Sequence, residues 1–72
     1  MFEINAAAVR ERIAESGLTL TEFAKGAGIN ALTAQRATVD GRKLLLKVIG
    51  KIAKFFGVTC EDLIAKKGEV IL

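Results

Sequence analysis

The segment from Leu18 to Arg36, LTLTEFAKGAGINALTAQR, constrains this chain most, because it carries its own start and stop signals. Thr19 and Glu22 form a Thr-x-x-Glu capping box: the threonine hydroxyl accepts from the third helical N–H, and the glutamate reaches back to the N–H of the cap. Leu18 and Phe23 flank that cap at the spacing of a hydrophobic staple, which fixes the angle at which the chain enters. Gly28 ends the helix near Ala27 while it is still short, since glycine readily takes the left-handed conformation of a helix stop. Asn30 is a strong N-cap for a further helix starting at Ala31. Two short helices joined by a tight turn are therefore expected. Ala24 is small where they must cross, and Ile29 anchors the turn in the core.

The same punctuation marks three more helices. Asn5 caps a first helix over about Ala6–Ser16, helped by Ala6-Ala7-Ala8, and Gly17 stops it. Ala6, Val9 and Ile13 share one face; Arg10, Glu11, Arg12 and Glu15 cover the other. The helix after Asn30 is expected from Ala31 to about Thr38. Ile29, Ala34 and Ala37 would face inward, and Ala31, Leu32, Gln35 and Arg36 outward. Val39–Lys43 reads as a plain loop: Asp40-Gly41 can mark a hairpin turn, but no alternating strand pattern flanks it. The fourth helix covers roughly Leu45–Phe56 and ends at Gly57. Leu45, Val48, Ile49, Ile52, Phe55 and Phe56 form a wide apolar stripe, with Lys47, Lys51 and Lys54 opposite. Gly50 inside this helix costs about 1 kcal/mol against alanine, and close approach of a neighbouring helix is the expected reason. Thr59 caps a fifth helix, with Asp62 at its third position and Val58 stapled on Leu63. It is expected to run to about Lys67, with Lys66 and Lys67 at the negative end of its dipole and Gly68 as its stop. Two apolar tags remain, Met1–Ile4 and Glu69–Leu72. They read either as an antiparallel two-stranded ribbon, within one chain or between two, or as frayed ends.

Composition narrows the function. The 72 residues, 51% hydrophobic, are expected to form one domain over 1–72 with a small core. One cysteine, Cys60, permits no intrachain disulfide and fits a reducing cytoplasm. With no histidine and no Cys/His cluster, a structural zinc site is excluded, and nothing calls for another metal, a cofactor or a small-molecule ligand. The N-terminus lacks a basic segment leading into a long apolar run, and no apolar run approaches about 18 residues, so neither a signal peptide nor a membrane span is expected. No enzyme is expected: no carboxylate pair forms a recognisable constellation, Ser16 has no base beside it, and Cys60 reads as a small, half-buried hydrophobe. Charge is uneven. From Phe23 to Cys60 there are seven basic residues (Lys25, Arg36, Arg42, Lys43, Lys47, Lys51, Lys54) and one acid, Asp40, against four basic residues and seven acids in the two ends. Such a basic band suits an anionic partner, and equally a merely solvated face.

These features converge on a helix-turn-helix arrangement, in which the second short helix is pushed outward. The residues Leu18-Thr19-x-x-Glu22-Phe23-Ala24-x-x-x-Gly28-Ile29-Asn30, followed by Gly50-Lys51-Ile52-Ala53-Lys54-x-x-Gly57-Val58-x-x-x-Asp62-Leu63, resemble the phage repressor and Cro-type helix-turn-helix family. The resemblance implies an all-α, compact five-helix bundle whose third helix reads bases in the major groove of double-stranded DNA. It implies a transcriptional regulator, usually a repressor of the phage or mobile-element type, acting as a homodimer on a near-palindromic site. It places Ala31, Leu32 and Arg36 toward base edges, with Gln35 adjacent. Arg36 can bond guanine O6 and N7 together, worth about 1–3 kcal/mol of discrimination, while Ala31 and Leu32 can touch thymine methyls. Asn30, Thr33, Arg42, Lys43 and Lys47 are expected on phosphates; Lys51 and Lys54 read as solvated charges. The competing reading of Arg36 is a surface arginine paired with Asp40.

Three features depart from the family pattern. Leu20 stands where the family often has a polar residue that touches phosphate. Thr38 and Ile13 stand where the family often pairs a glutamate after the third helix with a basic residue in the first, so that link is expected to be absent. Ala31-Leu32 replaces two hydrogen-bonding residues. A dimer interface is expected from spare apolar surface on the fifth helix and the terminal tags. The alternative function is a protein-interaction module, antitoxin-like or anti-repressor, docking a partner through Leu32.

Overall fold

The computed structural model describes residues 1–65. In chain order the elements are β1 (Phe2–Glu3), α1 (Ala6–Ser16), α2 (Leu20–Ala27), α3 (Ala31–Arg36), β2 (Lys43–Leu44), α4 (Leu46–Phe56) and a 3-10 turn at Cys60–Leu63. The caps act where the sequence puts them. Asn5 Oδ1 accepts from the Ala8 N–H at 3.2 Å, and Gly17 stops α1 at φ 67°. Around α2, Thr19 Oγ1 accepts from the Glu22 N–H at 3.1 Å and Glu22 Oε1 accepts from the Thr19 N–H at 2.8 Å. Gly28 takes φ 74°, which an L side chain rarely adopts, and so lets α2 stop and α3 begin at once. Helix α3 is shorter than expected, ending at Arg36 rather than Thr38. The Thr38 hydroxyl donates to the Gln35 C=O at 2.7 Å and its N–H to the same oxygen at 3.1 Å, tightening the last turn.

Ile4, Val9, Phe23, Ile49, Ile52 and Leu63 are the largest fully buried side chains, drawn from the N-terminal segment, α1, α2, α4 and the 3-10 turn. Phe23 locks α2 to α4: its ring stacks on Phe56 at 5.4 Å and 11°, and Phe55 packs on both at 6.1 and 5.0 Å. Burying a ring of this size is worth about 1.5–3 kcal/mol, and aromatic pairs add about 0.5–1.5 kcal/mol. The close helix–helix approach expected at Gly50 lies elsewhere. A Cβ on Gly50 would meet only Cys60 Sγ, at an ordinary 3.9 Å, whereas a Cβ on Gly26 would overlap the Phe55 ring, 2.7 Å from Cζ. A side chain at Gly26 would therefore have to displace the outer end of the Phe55 ring, which lies across it. Leu45, expected in the apolar stripe, is the N-cap residue of α4 and is 55% exposed.

Two long-range features replace the expected ends of the chain. The fifth helix is a single 3-10 turn, so the bundle has four α-helices among the described residues. Its capping box forms, with Thr59 Oγ1 accepting from the Asp62 N–H and Asp62 Oδ2 from the Thr59 N–H, both at 3.3 Å. Ile64 then turns extended (φ −101°, ψ 130°) to bridge Ile4 antiparallel, and that pairing outweighs helix continuation. The N-terminal tag is indeed strand, but β1 pairs antiparallel with β2, Phe2 opposite Leu44 and Glu3 opposite Lys43. Lys43 therefore belongs to a strand and not to a plain loop. On the other side, the Asn5 N–H donates to the Leu63 C=O at 2.7 Å and the Ala65 N–H to the Glu3 C=O at 2.9 Å. The expected partner tag Glu69–Leu72, and the expected end of the fifth helix at Lys66-Lys67-Gly68, lie outside the described residues.

Candidate nucleic-acid interface

Helix α3 turns a small inner face to the protein. Ala34 and Ala37 are fully buried, Ile29 is half-buried against the core, and alanine at both inner positions lets the helix lie close to α2. Its start is fixed by Asn30, whose Oδ1 accepts from the Thr33 N–H at 2.7 Å. That bond occupies the carboxamide oxygen of Asn30 and one N–H of the first turn, leaving the Asn30 amino group for an outside partner. Ala31, Leu32, Gln35 and Arg36 all point outward and are exposed, as their spacing predicts.

Leu32, Gln35, Arg36, Val39 and Arg42 line one shallow cleft. Three of the residues expected at base edges and one expected on phosphate are thus brought together, with Val39 as an addition. Arg36 makes no ion pair or hydrogen bond through its side chain among the described residues. The competing partner, Asp40, lies instead against Arg10, with Arg10 Nη1 at 3.6 Å from Asp40 Oδ1. The same Nη1 donates to the Thr38 C=O at 2.8 Å. The ion pair of the family pattern is absent at Thr38 and Ile13, as expected. A different link joins α1 to the segment after α3, made by Arg10 one turn before Ile13 and received by the Thr38 carbonyl and Asp40. Sequence reasoning placed Arg10 on a solvated face; the usable signal was Asp40, the lone acid in the basic band.

After α3 the chain folds into a tight turn rather than a plain loop. The Val39 N–H donates to the Arg36 C=O at 3.2 Å and the Arg42 N–H to the Val39 C=O at 3.4 Å, with Gly41 at φ 84° as the third residue of the turn. The Arg42 C=O accepts from the Ile4 N–H at 2.9 Å, so the N-terminal segment holds the far side of the turn. Val39 and Arg42 are consequently fixed by backbone bonds on both flanks.

The remaining cations separate. Lys43 is exposed and stands directly across the ribbon from Glu3, an acid beside a residue expected on phosphate. Lys47 is exposed in the first turn of α4, which contains no acid. A cation there opposes the positive end of the helix dipole, so Lys47 is not explained by helix stability. Lys51 and Lys54 line a different cleft, between α2 and α4, with Gly26, Ala27, Gly28 and Phe55. Among the described residues no group of His, Cys, Asp and Glu could hold a metal ion, and no helix is long and apolar enough to cross a membrane.

The sequence model of a family described as helix-turn-helix matches residues 9–63, more than half of the chain. No curated protein and no solved structure matches it.

Proposed function

The chain belongs to the phage repressor and Cro-type helix-turn-helix family of DNA-binding transcription regulators, and from that premise we propose that it is a sequence-specific repressor of the phage or mobile-element type. Helix α3 lies in the major groove of double-stranded DNA, with Arg36 on a guanine and Ala31, Leu32 and Gln35 against neighbouring base edges. Asn30, Thr33, Arg42, Lys43 and Lys47 hold phosphates and set the register. The observation that carries this reading is the outer face of α3, whose cleft sets two arginines without an anionic partner among the described residues beside exposed apolar side chains.

One module makes few contacts for tight, selective binding, so the protein acts in the cytoplasm as a homodimer with recognition helices about 34 Å apart. The fifth-helix surface expected to serve the interface is not spare, since Leu63 is fully buried. The N-terminal tag, also expected there, keeps Met1 and Phe2 exposed, and Leu45 and Leu46 are exposed as well. The ribbon register, continued by one pair, sets Met1 opposite Leu45. A second copy covers these residues; a monomeric mass at high micromolar concentration, without pairing on DNA, overturns this part.

Selection of bound sites from a random DNA pool tests the whole reading and is expected to return a near-palindrome. Arg36→Ala then weakens binding at one or two base positions, by about 1–3 kcal/mol, whereas Lys43→Ala weakens all sequences alike. Equal losses for both variants on random DNA overturn the assignment of base reading to Arg36. Leu32, 54% exposed, favours a second reading as a protein-docking module of antitoxin or anti-repressor type. Absence of salt-sensitive retention on random DNA selects that reading.

A further inference from the structure

We propose that the cleft between the end of α2 and the second half of α4 binds a free apolar α-amino acid. Its carboxylate is held by Lys51 and Lys54, its ammonium by the last carbonyls of α2, and its side chain by Phe55. The proposal goes beyond the DNA-binding reading and does not rest on it, since no residue of this cleft is assigned to DNA.

Two sets of unsatisfied groups border the cleft. The first attracts cations. At the end of α2 the Gly28 N–H donates to the Lys25 C=O at 3.2 Å and the Ile29 N–H to the Ala24 C=O at 3.0 Å. Those bonds leave the Gly26 and Ala27 carbonyls with no donor among the described residues. They stand at the negative end of the helix dipole. The second set attracts anions. Lys51 and Lys54 are exposed, lie three residues apart on one face of α4, and form no ion pair or hydrogen bond among the described residues. Neither lysine bonds to either carbonyl, so the fold does not use one set to satisfy the other.

The space between them suits a small molecule. The cleft holds about 500 Å³, within the range of ligand clefts. A Cβ on Gly28 would meet nothing within 4 Å, so the backbone there is open to a visitor. An anion alone would face the carbonyls, and a cation alone would face the lysines. A ligand that carries both charges meets both sets, and an α-amino acid carries them on one carbon. Packing explains why the Phe55 ring lies across Gly26; its outer edge is what remains for an apolar side chain. The sequence carries no sign of this site, because the carbonyls belong to the backbone and approach the lysines only in the fold.

The test is a titration of the full chain with L-phenylalanine and with L-leucine, followed by amide chemical shifts. Saturable shifts are expected at Gly26, Gly28, Lys51, Lys54 and Phe55, with a dissociation constant of about 1 mM for so small a ligand in an open cleft. N-acetyl-L-phenylalanine lacks the ammonium and L-phenylalanine methyl ester lacks the carboxylate. Each should bind about fivefold more weakly, the loss that one exposed charge contact brings. The double variant Lys51→Gln/Lys54→Gln keeps good helix formers at exposed positions, so the fold is retained. It should bind L-phenylalanine about fivefold more weakly and the methyl ester as the parent protein does, because the ester has no carboxylate for the lysines to hold. A merely structural role for the lysines would move both ligands alike, and that result overturns the proposal. So does the absence of saturable shifts with both amino acids up to about 10 mM, equal binding of the acetylated or esterified form, or shifts centred on Leu32 and Arg36.

Discussion

The cleft between α2 and α4 and the cleft on α3 each place exposed apolar surface beside two cations. In the first, Phe55 is 36% exposed, yet its ring contacts both Phe23 and Phe56 and lies across Gly26, a position with no side chain to obstruct it. Its exposure is the outer edge of a packing arrangement that holds two helices together. In the second, Leu32 and Val39 lie outside the core and its partly buried rim, and Arg36 and Arg42 have no anionic partner among the described residues. Exposure that packing accounts for carries no functional information; exposure that packing leaves over does. The two clefts share residue types and differ in whether the fold needs them.

The largest effect that separates them is on stability. Phe55→Ala removes a partly buried ring from the aromatic cluster and is expected to lower the unfolding free energy by about 2 kcal/mol, less than the full core range because the ring is partly in water. Leu32→Ala is expected to stay within about 0.5 kcal/mol. Urea unfolding of both variants decides the matter. Similar losses in the two would mean that Leu32 is also structural, and the contrast between the clefts would collapse.

Legibility in the sequence divides in the same way between local and long-range causes. The starts of α1, α2 and α3 are readable because each is set by a side chain bonding to backbone three residues away, as at Asn5, Thr19 and Asn30. The outward set Ala31, Leu32, Gln35 and Arg36 comes from the period once those starts are fixed. Thr59 and Asp62 are equally readable, and their box forms, but a box nucleates only one turn. The path of the chain beyond that turn depends on Ile4, far earlier in the sequence, meeting Ile64. No local signal carries that, nor the pairing of Phe2 with Leu44. Glycine in a helix signals a close neighbour without saying which glycine has one, so Gly50 drew the expectation that belongs to Gly26. Arg10 escaped notice because one face of an amphipathic helix looks solvated until a distant carbonyl is brought to it.

That arginine gives a smaller effect on the α3 side. Arg10→Met keeps the aliphatic stem and deletes the donor to the Thr38 carbonyl. It is expected to cost about 1 kcal/mol, mostly from the hydrogen bond. The Asp40 contact adds little, because the side chains are 49% and 81% exposed and water screens the pair. Asp40→Asn should accordingly be near neutral in stability. Arg10→Met should also weaken binding to the selected site more than to random DNA, since it loosens the turn that presents Val39. An equal loss on both kinds of DNA would make Arg10 a general structural support and not a positioning residue for the cleft.

The smallest effect distinguishes the cations of α4 from one another. Lys47 stands in the first turn, where the helix dipole disfavours a positive charge, while Lys51 and Lys54 border the other cleft. If Lys47 is there for phosphate, Lys47→Ala should reduce the log–log salt slope of DNA binding by about one. It should also raise stability by about 0.3–1 kcal/mol, because an unfavourable dipole contact is removed. Lys51→Ala and Lys54→Ala should leave the slope unchanged. A residue that weakens the folded protein and strengthens its grip on a polyanion must move the two measurements in opposite directions. If Lys47→Ala leaves the slope as it was, or all three lysines reduce it alike, the basic band acts as a diffuse field, and neither cleft is marked out by its charge.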